Sequence, residues 1–259
     1  MILFIYSYRL LYINNMNDYV DKPFVYENYI ATEFTITPHT DKQPQVQQQQ
    51  QSTLVINERG EPGSGTTVFT VADVFTDAQS DNIAGYITKH SALWVDRDLG
   101  YASGNNVECK FLTLKELVKD GIPGAKDIDD LIFKRVGAVL NAFRAIQPDF
   151  KGIHDDGYTL RRIHGGTKRH IDGVHSKTGG FTKFVRALSF IAVLNDDYDG
   201  GIFNFPAQNL KLKVKKGEVV LFPPYWTHPH SVTSVGEGQA RYTINTWIME
   251  DFIGGHTSP

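Results

Sequence analysis

His170-Ile171-Asp172, a distant His230 and then Arg241 are the residues of this chain whose types and spacing could do chemistry. Two imidazoles and one carboxylate on one face of a metal leave three coordination positions open. A non-haem Fe(II) needs those positions to hold a chelating cosubstrate and dioxygen together. Arg241 adds a planar, permanently charged fork suited to an organic acid beside that metal. The pattern predicts an oxygenase.

The elements that must position these groups read as strands. His170 and Asp172 are an i, i+2 pair, so on an extended strand both side chains point to one side and can close on one ion, whereas a helix would splay them. His230 follows 58 positions after Asp172 (230 − 172), so the chain must run out and return. Arg186 to Asn195 is an apolar run ending in Asn195-Asp196-Asp197, which predicts a buried strand, and Asp199-Gly200-Gly201 supplies turn residues. The extended chain resumes over Ile202 to Phe205. Leu210, Leu212 and Val214 alternate with Lys211, Lys213 and Lys215, the period of a strand with one wet face. Val219 to Phe222 is a further buried strand stopped by Pro223-Pro224, and Arg241 to Trp247 is the closing strand. Short strands with Gly and Pro turns indicate a mainly β fold, a double-sheet barrel or jelly roll, with flanking helices.

Several segments also carry a family resemblance. These are residues 158–173 around His170 and Asp172, Arg186 to Asn195 with Gly200-Gly201, Gly217 to Pro223, His230 to Val235, and Arg241 to Trp247. Together they resemble the Fe(II)- and 2-oxoglutarate-dependent oxygenases, in the prolyl 4-hydroxylase-like branch. The resemblance implies a double-stranded β-helix with His170, Asp172 and His230 as iron ligands. It implies that Arg241 binds the distal carboxylate of 2-oxoglutarate, that O2 is consumed, and that ascorbate supports turnover. The substrate so implied is a peptide, proline first; a small molecule or free amino acid is the alternative, as is a metal-binding module that never turns over. Two departures stand out. The arginine falls eleven positions after the distal histidine (241 − 230) where many relatives have ten, so the turn 236–240 must absorb a residue. Relatives often carry a cosubstrate-binding tyrosine near the position of Ile163; here Tyr158 and Thr243 are the nearby candidates. Tyr225, Trp226 and Trp247 are candidate apolar walls for the substrate.

Competing assignments are few. His154-Asp155-Asp156 also spells His-x-Asp but precedes Gly157 in an expected loop, without a matching third ligand and arginine. His228 rivals His230, yet His230 opens the apolar turn typical of the family. His164 and His175 flank the site and read as surface histidines, while His39, His90 and His256 carry no motif. The lysines from Lys211 to Lys216 read as a solubilising face. Arg161, Arg162, Lys168 and Arg169 lie nearer the site and would suit an anionic substrate.

Composition agrees with one enzyme domain plus an extension. With 259 residues, 41% hydrophobic content and net charge −3, the chain can bury a sizeable core and has no basic excess calling for nucleic acid. A single cysteine, Cys109, excludes an internal disulfide framework and is compatible with an intracellular, reducing compartment. The expected organisation is an extension over 1–36, a low-complexity linker over 37–66 containing Gln47 to Gln51, and the oxygenase domain over 67–259. The apolar stretch 1–13 is too short for a membrane span, is broken by Arg9 and lacks a secretory cleavage site, so Met16 is a candidate alternative start. Thr76-Asp-Ala-Gln79 is a capping box opening a helix to about His90, and Leu131, Ile132, Val136, Val139, Leu140 and Phe143 recur at helical spacing within about 127–146. Segments 101–106 and 176–183 are expected to be substrate-covering loops. Sequence leaves the oligomeric state open.

Overall fold

The computed structural model describes residues 54–61, 65–96, 108–173 and 184–251. The expectations for the N-terminal extension, the glutamine run, the two covering loops and His39, His175 and His256 lie outside the described residues.

Two antiparallel sheets face each other, and the chain crosses between them repeatedly, as a double-stranded β-helix does. The strands are β1 (Ile56–Glu58), β2 (Phe69–Val71), β3 (Val95–Asp96), β4 (Glu108–Thr113), β5 (His154–Asp155), β6 (Thr159–His164), β7 (Thr167–His170), β8 (Phe184–Val193), β9 (Phe203–Phe205), β10 (Leu210–Leu212), β11 (Val219–Phe222), β12 (His230–Val232) and β13 (Arg241–Asp251). The larger sheet has the order β1-β2-β11-β8-β13-β6-β4-β3, with β5 against β13; the smaller is β10-β9-β12-β7. Among the described residues three α-helices, α1 (Asp77–Lys89), α2 (Leu114–Lys119) and α3 (Ala125–Ile146), accompany them. No described helix is long and apolar enough to cross a membrane.

Side-chain alternation explains why the central strands are apolar throughout. On β8, Leu188, Phe190 and Ala192 join the core that includes α1 and α3, while Ile191 and Val193 point into the space between the sheets. On β11, Val219 and Leu221 take the first side and Val220 and Phe222 the second. Each large side chain so buried stabilises the fold by roughly 1.5–3 kcal/mol. β13 departs from this pattern in one respect. Ile244 and Ile248 face the helices, but the other parity is Arg241, Thr243 and Asn245, so its inner face carries polar groups where β8 carries valine and isoleucine. That exchange opens a cavity instead of a core.

Helix α1 begins as its capping box dictates, with Gln79 N–H donating to Thr76 Oγ1 at 3.3 Å and Thr76 N–H to Gln79 Oε1 at 3.1 Å. Three boundaries differ from expectation. α3 starts at Ala125, because Gly124 adopts φ 80° and reverses the chain there. β10 ends at Leu212; Lys213 is pulled out of the alternation by donating Nζ to Tyr198 O at 2.8 Å and Gly200 O at 2.7 Å. The ordered sheet also begins within the stretch expected to be linker. β1 pairs with β2, and Arg59 donates to Thr70 Oγ1 at 2.7 Å and to Glu218 Oε1 at 3.0 Å, which ties 56–59 to the barrel.

The extra residue ahead of Arg241 is taken up in a tight turn. Gln239 N–H donates to Gly236 O at 3.1 Å, Gly238 has φ 73°, and Gln239 Oε1 accepts from Gly236 N at 3.1 Å and Asp199 N at 2.8 Å. Gln239 O also accepts from His164 Nδ1 at 2.6 Å, so His164 locks this turn onto the end of β6.

Candidate active site

His170 is the last residue of β7, and it lies directly opposite His230, the first residue of β12. This cross-strand pairing brings the ring centroids to 4.3 Å. Asp172 sits just beyond β7 rather than on it, yet its carboxylate still turns to the same side. His170 Nε2 is 3.4 Å from Asp172 Oδ1, and His230 Nε2 is 4.0 Å from Asp172 Oδ2. One ligand atom from each of the three lies within 4.8 Å of the others, a spacing that could hold a metal ion.

Backbone carbonyls fix both imidazoles. His170 Nδ1–H donates to Lys168 O at 2.8 Å and His230 Nδ1–H to His228 O at 3.1 Å, which turns each Nε2 lone pair toward the carboxylate. Phe222 and Phe205 pack on the His230 ring with centroids 4.6 and 5.6 Å away. Burial there pulls the His230 pKa down to about 4, so its neutral, metal-binding form prevails at neutral pH. For His170, burial pulls downward but the hydrogen bond and charge of Asp172 outweigh it, and the pKa is raised. Burial alone would raise the Asp172 carboxyl; the two histidines and Ser189 overcome it and hold the group well below the usual carboxylate range.

Protons and metal compete for the same Nε2 atoms. Because the raised His170 pKa keeps its proton to higher pH than an ordinary imidazole, apparent affinity for zinc should fall as pH drops through that value. The decline should approach tenfold per pH unit and steepen only near the much lower pKa of His230. Zinc titrations between pH 5 and 8 check this; a flat profile would contradict the ligand geometry.

Asp172 is braced from two sides. Ser189 Oγ–H donates to Asp172 Oδ2 at 2.8 Å, and Arg186 Nη1 donates to the Asp172 carbonyl at 2.8 Å while Nη2 reaches Asp156 Oδ2 at 3.0 Å. Ser189 is fully buried and is the one hydroxyl in an otherwise apolar stretch of β8, the signal by which the sequence could have revealed it. Ser189→Ala should weaken metal binding by about tenfold, since partners that orient a ligand are typically worth 10–100-fold. Zinc titration at pH 7.5 measures this, and unchanged affinity would remove Ser189 from the site.

A cavity runs from this trio into the barrel, lined by Arg161, Thr167, Phe203, Arg241, Thr243 and Asn245 among others. Arg241 lies at its floor, paired across to Ile163 and 3% exposed. Its Nε and Nη1 make no hydrogen bond to any described residue; the Phe203 ring lies 5.3 Å from its Cζ. Burial lowers its pKa from the ordinary arginine value, against the opposing pull of Tyr198. A buried guanidinium with two unsatisfied nitrogens beside a two-histidine, one-carboxylate trio suits a dicarboxylate that chelates a metal at one end and meets a cation at the other.

The other expected site residues divide. Thr243 lines the cavity and donates Oγ1–H to Asn245 Oδ1 at 2.7 Å. Tyr158 does not line it. It shares the parity of Leu160, faces the helix-side core, and donates its hydroxyl to Asp155 Oδ2 at 2.7 Å, so it is not a cosubstrate contact. In the rival His154-x-Asp156, His154 lies on β5 and Asp156 Oδ2 accepts from Arg186 Nη2 at 3.0 Å; among the described residues the group spaced to hold a metal ion is His170, Asp172 and His230 instead. His228 points elsewhere, its Nε2 against Thr67 Oγ1 and Thr66 O, both at 2.9 Å. Trp247 is not among the residues lining the cavity; it pairs across to Ser189, with the Arg186 guanidinium 3.6 Å from its ring. Tyr225 is tied by its hydroxyl to Arg186 O, and Trp226 is 79% exposed; neither lines the cavity, because Pro223 and Pro224 carry that loop off the sheet.

Residues 158–249 match the family model described as the 2OG-Fe(II) oxygenase superfamily. Among solved structures, a collagen prolyl hydroxylase from Paramecium bursaria Chlorella virus-1, in complex with 2OG, is similar at 20% identity and TM-score 0.52, over 72% of this chain and 97% of that one. A prolyl hydroxylase from Trichoplax adhaerens, in complex with a hypoxia inducible factor peptide fragment, is similar at 13% identity and TM-score 0.54, over 72% and 84%. Among curated proteins none matches. Over residues 158–249 the sequence of this chain thus resembles the 2OG-Fe(II) oxygenase superfamily, and over 72% of its length the chain shares a fold with two prolyl hydroxylases.

Proposed function

We propose that this protein is an Fe(II)- and 2-oxoglutarate-dependent dioxygenase that hydroxylates its substrate with release of succinate and CO2, in the manner of a peptidyl prolyl 4-hydroxylase. The observation that carries this reading is the unsatisfied Arg241 guanidinium at the floor of the cavity that His170, Asp172 and His230 open onto. The likeness to two prolyl hydroxylases, one complexed with 2OG and one with a peptide, supports the choice of cosubstrate and of substrate class.

In this reading His170, Asp172 and His230 hold iron through two Nε2 atoms and a carboxylate oxygen. Iron with its cosubstrate supplies the oxidation of a C–H bond by dioxygen; the protein supplies position and dryness. Arg241 orients the far carboxylate, Thr243 and Asn245 line the passage, and Phe205 and Phe222 keep water from the back of His230. Ser189 and Arg186 hold Asp172 in place while ligands exchange.

The test is succinate formation from 2-oxoglutarate with Fe(II) and ascorbate, first with proline-containing peptides and then with pools of small molecules. Mass spectrometry after incubation with labelled oxygen should find the added oxygen on a prolyl residue. Label on a free metabolite would shift the substrate to the alternative class, and no succinate with any pool would favour a metal-binding module.

A further inference from the structure

The metal ligand His230 is aimed by a carbonyl whose own support comes from a distant part of the chain. His230 Nδ1–H donates to His228 O at 3.1 Å, so the direction of Nε2 depends on how residue 228 is held. The loop that carries residue 228 is poor in backbone donors. Pro223, Pro224 and Pro229 have no N–H, and β12 begins only at His230. The N–H of His228 donates to Tyr225 O at 2.9 Å, a bond within the loop itself.

The His228 side chain supplies the anchor from outside the loop. The residue is 4% exposed; its Nε2–H points at Thr66 O and Thr67 Oγ1, both at 2.9 Å, and its Nδ1 accepts from Thr227 Oγ1–H at 2.8 Å. The step it hangs on is strained and firmly tied. Thr67 has φ 52°, a left-handed conformation that a β-branched residue adopts only where its surroundings impose it. Thr67 N–H donates to Glu58 Oε1 at 2.8 Å, Thr67 Oγ1–H donates to Thr66 O at 2.8 Å, and Thr66 Oγ1–H donates to Arg59 O. The next residue, Val68, is fully buried in the same cluster as Phe205 and Phe222, the two rings that pack on His230.

We propose that His228 is a positioning residue for the metal centre: its ring, hung on Thr66 and Thr67, fixes the carbonyl that aims His230 Nε2 at the ion. This rests on reading His170, Asp172 and His230 as a metal site. The left-handed Thr67 then has a purpose, since it turns the Thr66 carbonyl and its own hydroxyl toward one imidazole N–H. Thr66, within the stretch expected to be linker, becomes part of the support of the site.

The experiment uses the full chain and reads two quantities. Zinc calorimetry at neutral pH gives the metal affinity, and NMR of the imidazole nitrogens in the metal-free chain gives the tautomer of His230, which the carbonyl holds as Nδ1–H. His228→Leu keeps an apolar body in the buried space and removes both ring nitrogens; His228→Gln keeps an N–H near the position of Nε2. The leucine variant should bind zinc about tenfold more weakly, as expected for loss of a group that orients a ligand, and should let His230 populate the Nε2–H tautomer. The glutamine variant should restore the affinity to within about threefold and return the tautomer. The proposal is overturned if His228→Leu leaves the tautomer unchanged, whether or not zinc binding weakens, because packing alone would then account for any loss. It is also overturned if His228→Gln fares no better than leucine. Should His228→Leu not fold, Thr67→Gly removes the hydroxyl facing Nε2 from a position whose φ suits glycine. A loss of about threefold in zinc affinity is expected there, and unchanged affinity overturns the proposal. Failure of the metal reading is visible separately, as an unmodified chain that takes up no zinc; the tautomer in the metal-free variants then still decides whether His228 orients His230.

Discussion

Asp172→Ala is expected to lower affinity for a divalent metal by more than about 100-fold and to reduce turnover of 2-oxoglutarate to background. The lower bound follows from the 10–100-fold cost of losing a group that merely orients a ligand. Asp172 is the only carboxylate among the described residues lining the cavity, so its removal leaves two neutral imidazoles facing a dication in a place shielded from water. A second consequence separates this role from a general loss of negative charge. Asp172 is what raises the His170 pKa; without it, burial and the nearby Arg161 charge dominate and His170 should titrate lower than in the unmodified chain. Proton competition at neutral pH then declines, and metal binding still fails. Zinc calorimetry together with imidazole titration by NMR reads both quantities. Retention of full metal affinity by Asp172→Ala would refute the assignment.

Much of this site is legible in the sequence because its parts obey short periods. His-x-Asp states a same-side pair, Arg241-x-Thr243-x-Asn245 states a polar face on a strand, and Val219 to Phe222 states a strand buried on both sides. What stays hidden depends on register between strands far apart in the chain. That His230 lies opposite His170 follows from the pairing of β12 with β7, and that Ser189 donates to Asp172 joins two segments seventeen residues apart; no local pattern encodes either. Tyr158 shows the same limit from the other direction. It is near the site in sequence, but a shift of one residue along a strand exchanges faces, and its hydroxyl ends on Asp155. Helix α2 escaped notice because a six-residue helix offers a single pair, Leu114 and Leu117, too little to establish a period.

Arg241→Met is expected to move stability and binding in opposite directions. In the free protein the guanidinium is 3% exposed with Nε and Nη1 unsatisfied, so folding strips water from a cation and returns little for it. Methionine has comparable reach and no charge. Replacing buried charge by a well-packed apolar group commonly stabilises by about 1–4 kcal/mol, and at roughly 2–4 °C per kcal/mol for a domain of this size the melting temperature of the metal-free variant should rise by several degrees. Binding should suffer in the same variant. Each charge-assisted hydrogen bond to the far carboxylate is worth about 1.5–3 kcal/mol, so loss of a bidentate pair weakens 2-oxoglutarate by roughly 10²–10⁴-fold. The unmodified chain should therefore gain about 2.7 kcal/mol from cosubstrate at one hundred times its dissociation constant, while Arg241→Met at that concentration gains almost nothing. Thermal melts with and without 2-oxoglutarate on zinc-loaded protein, beside melts of the metal-free forms, contain all four quantities. A variant that melts lower without ligand and keeps its 2-oxoglutarate shift would identify Arg241 as a structural residue; the opposite pair of signs is what a cation held in place for an absent carboxylate requires.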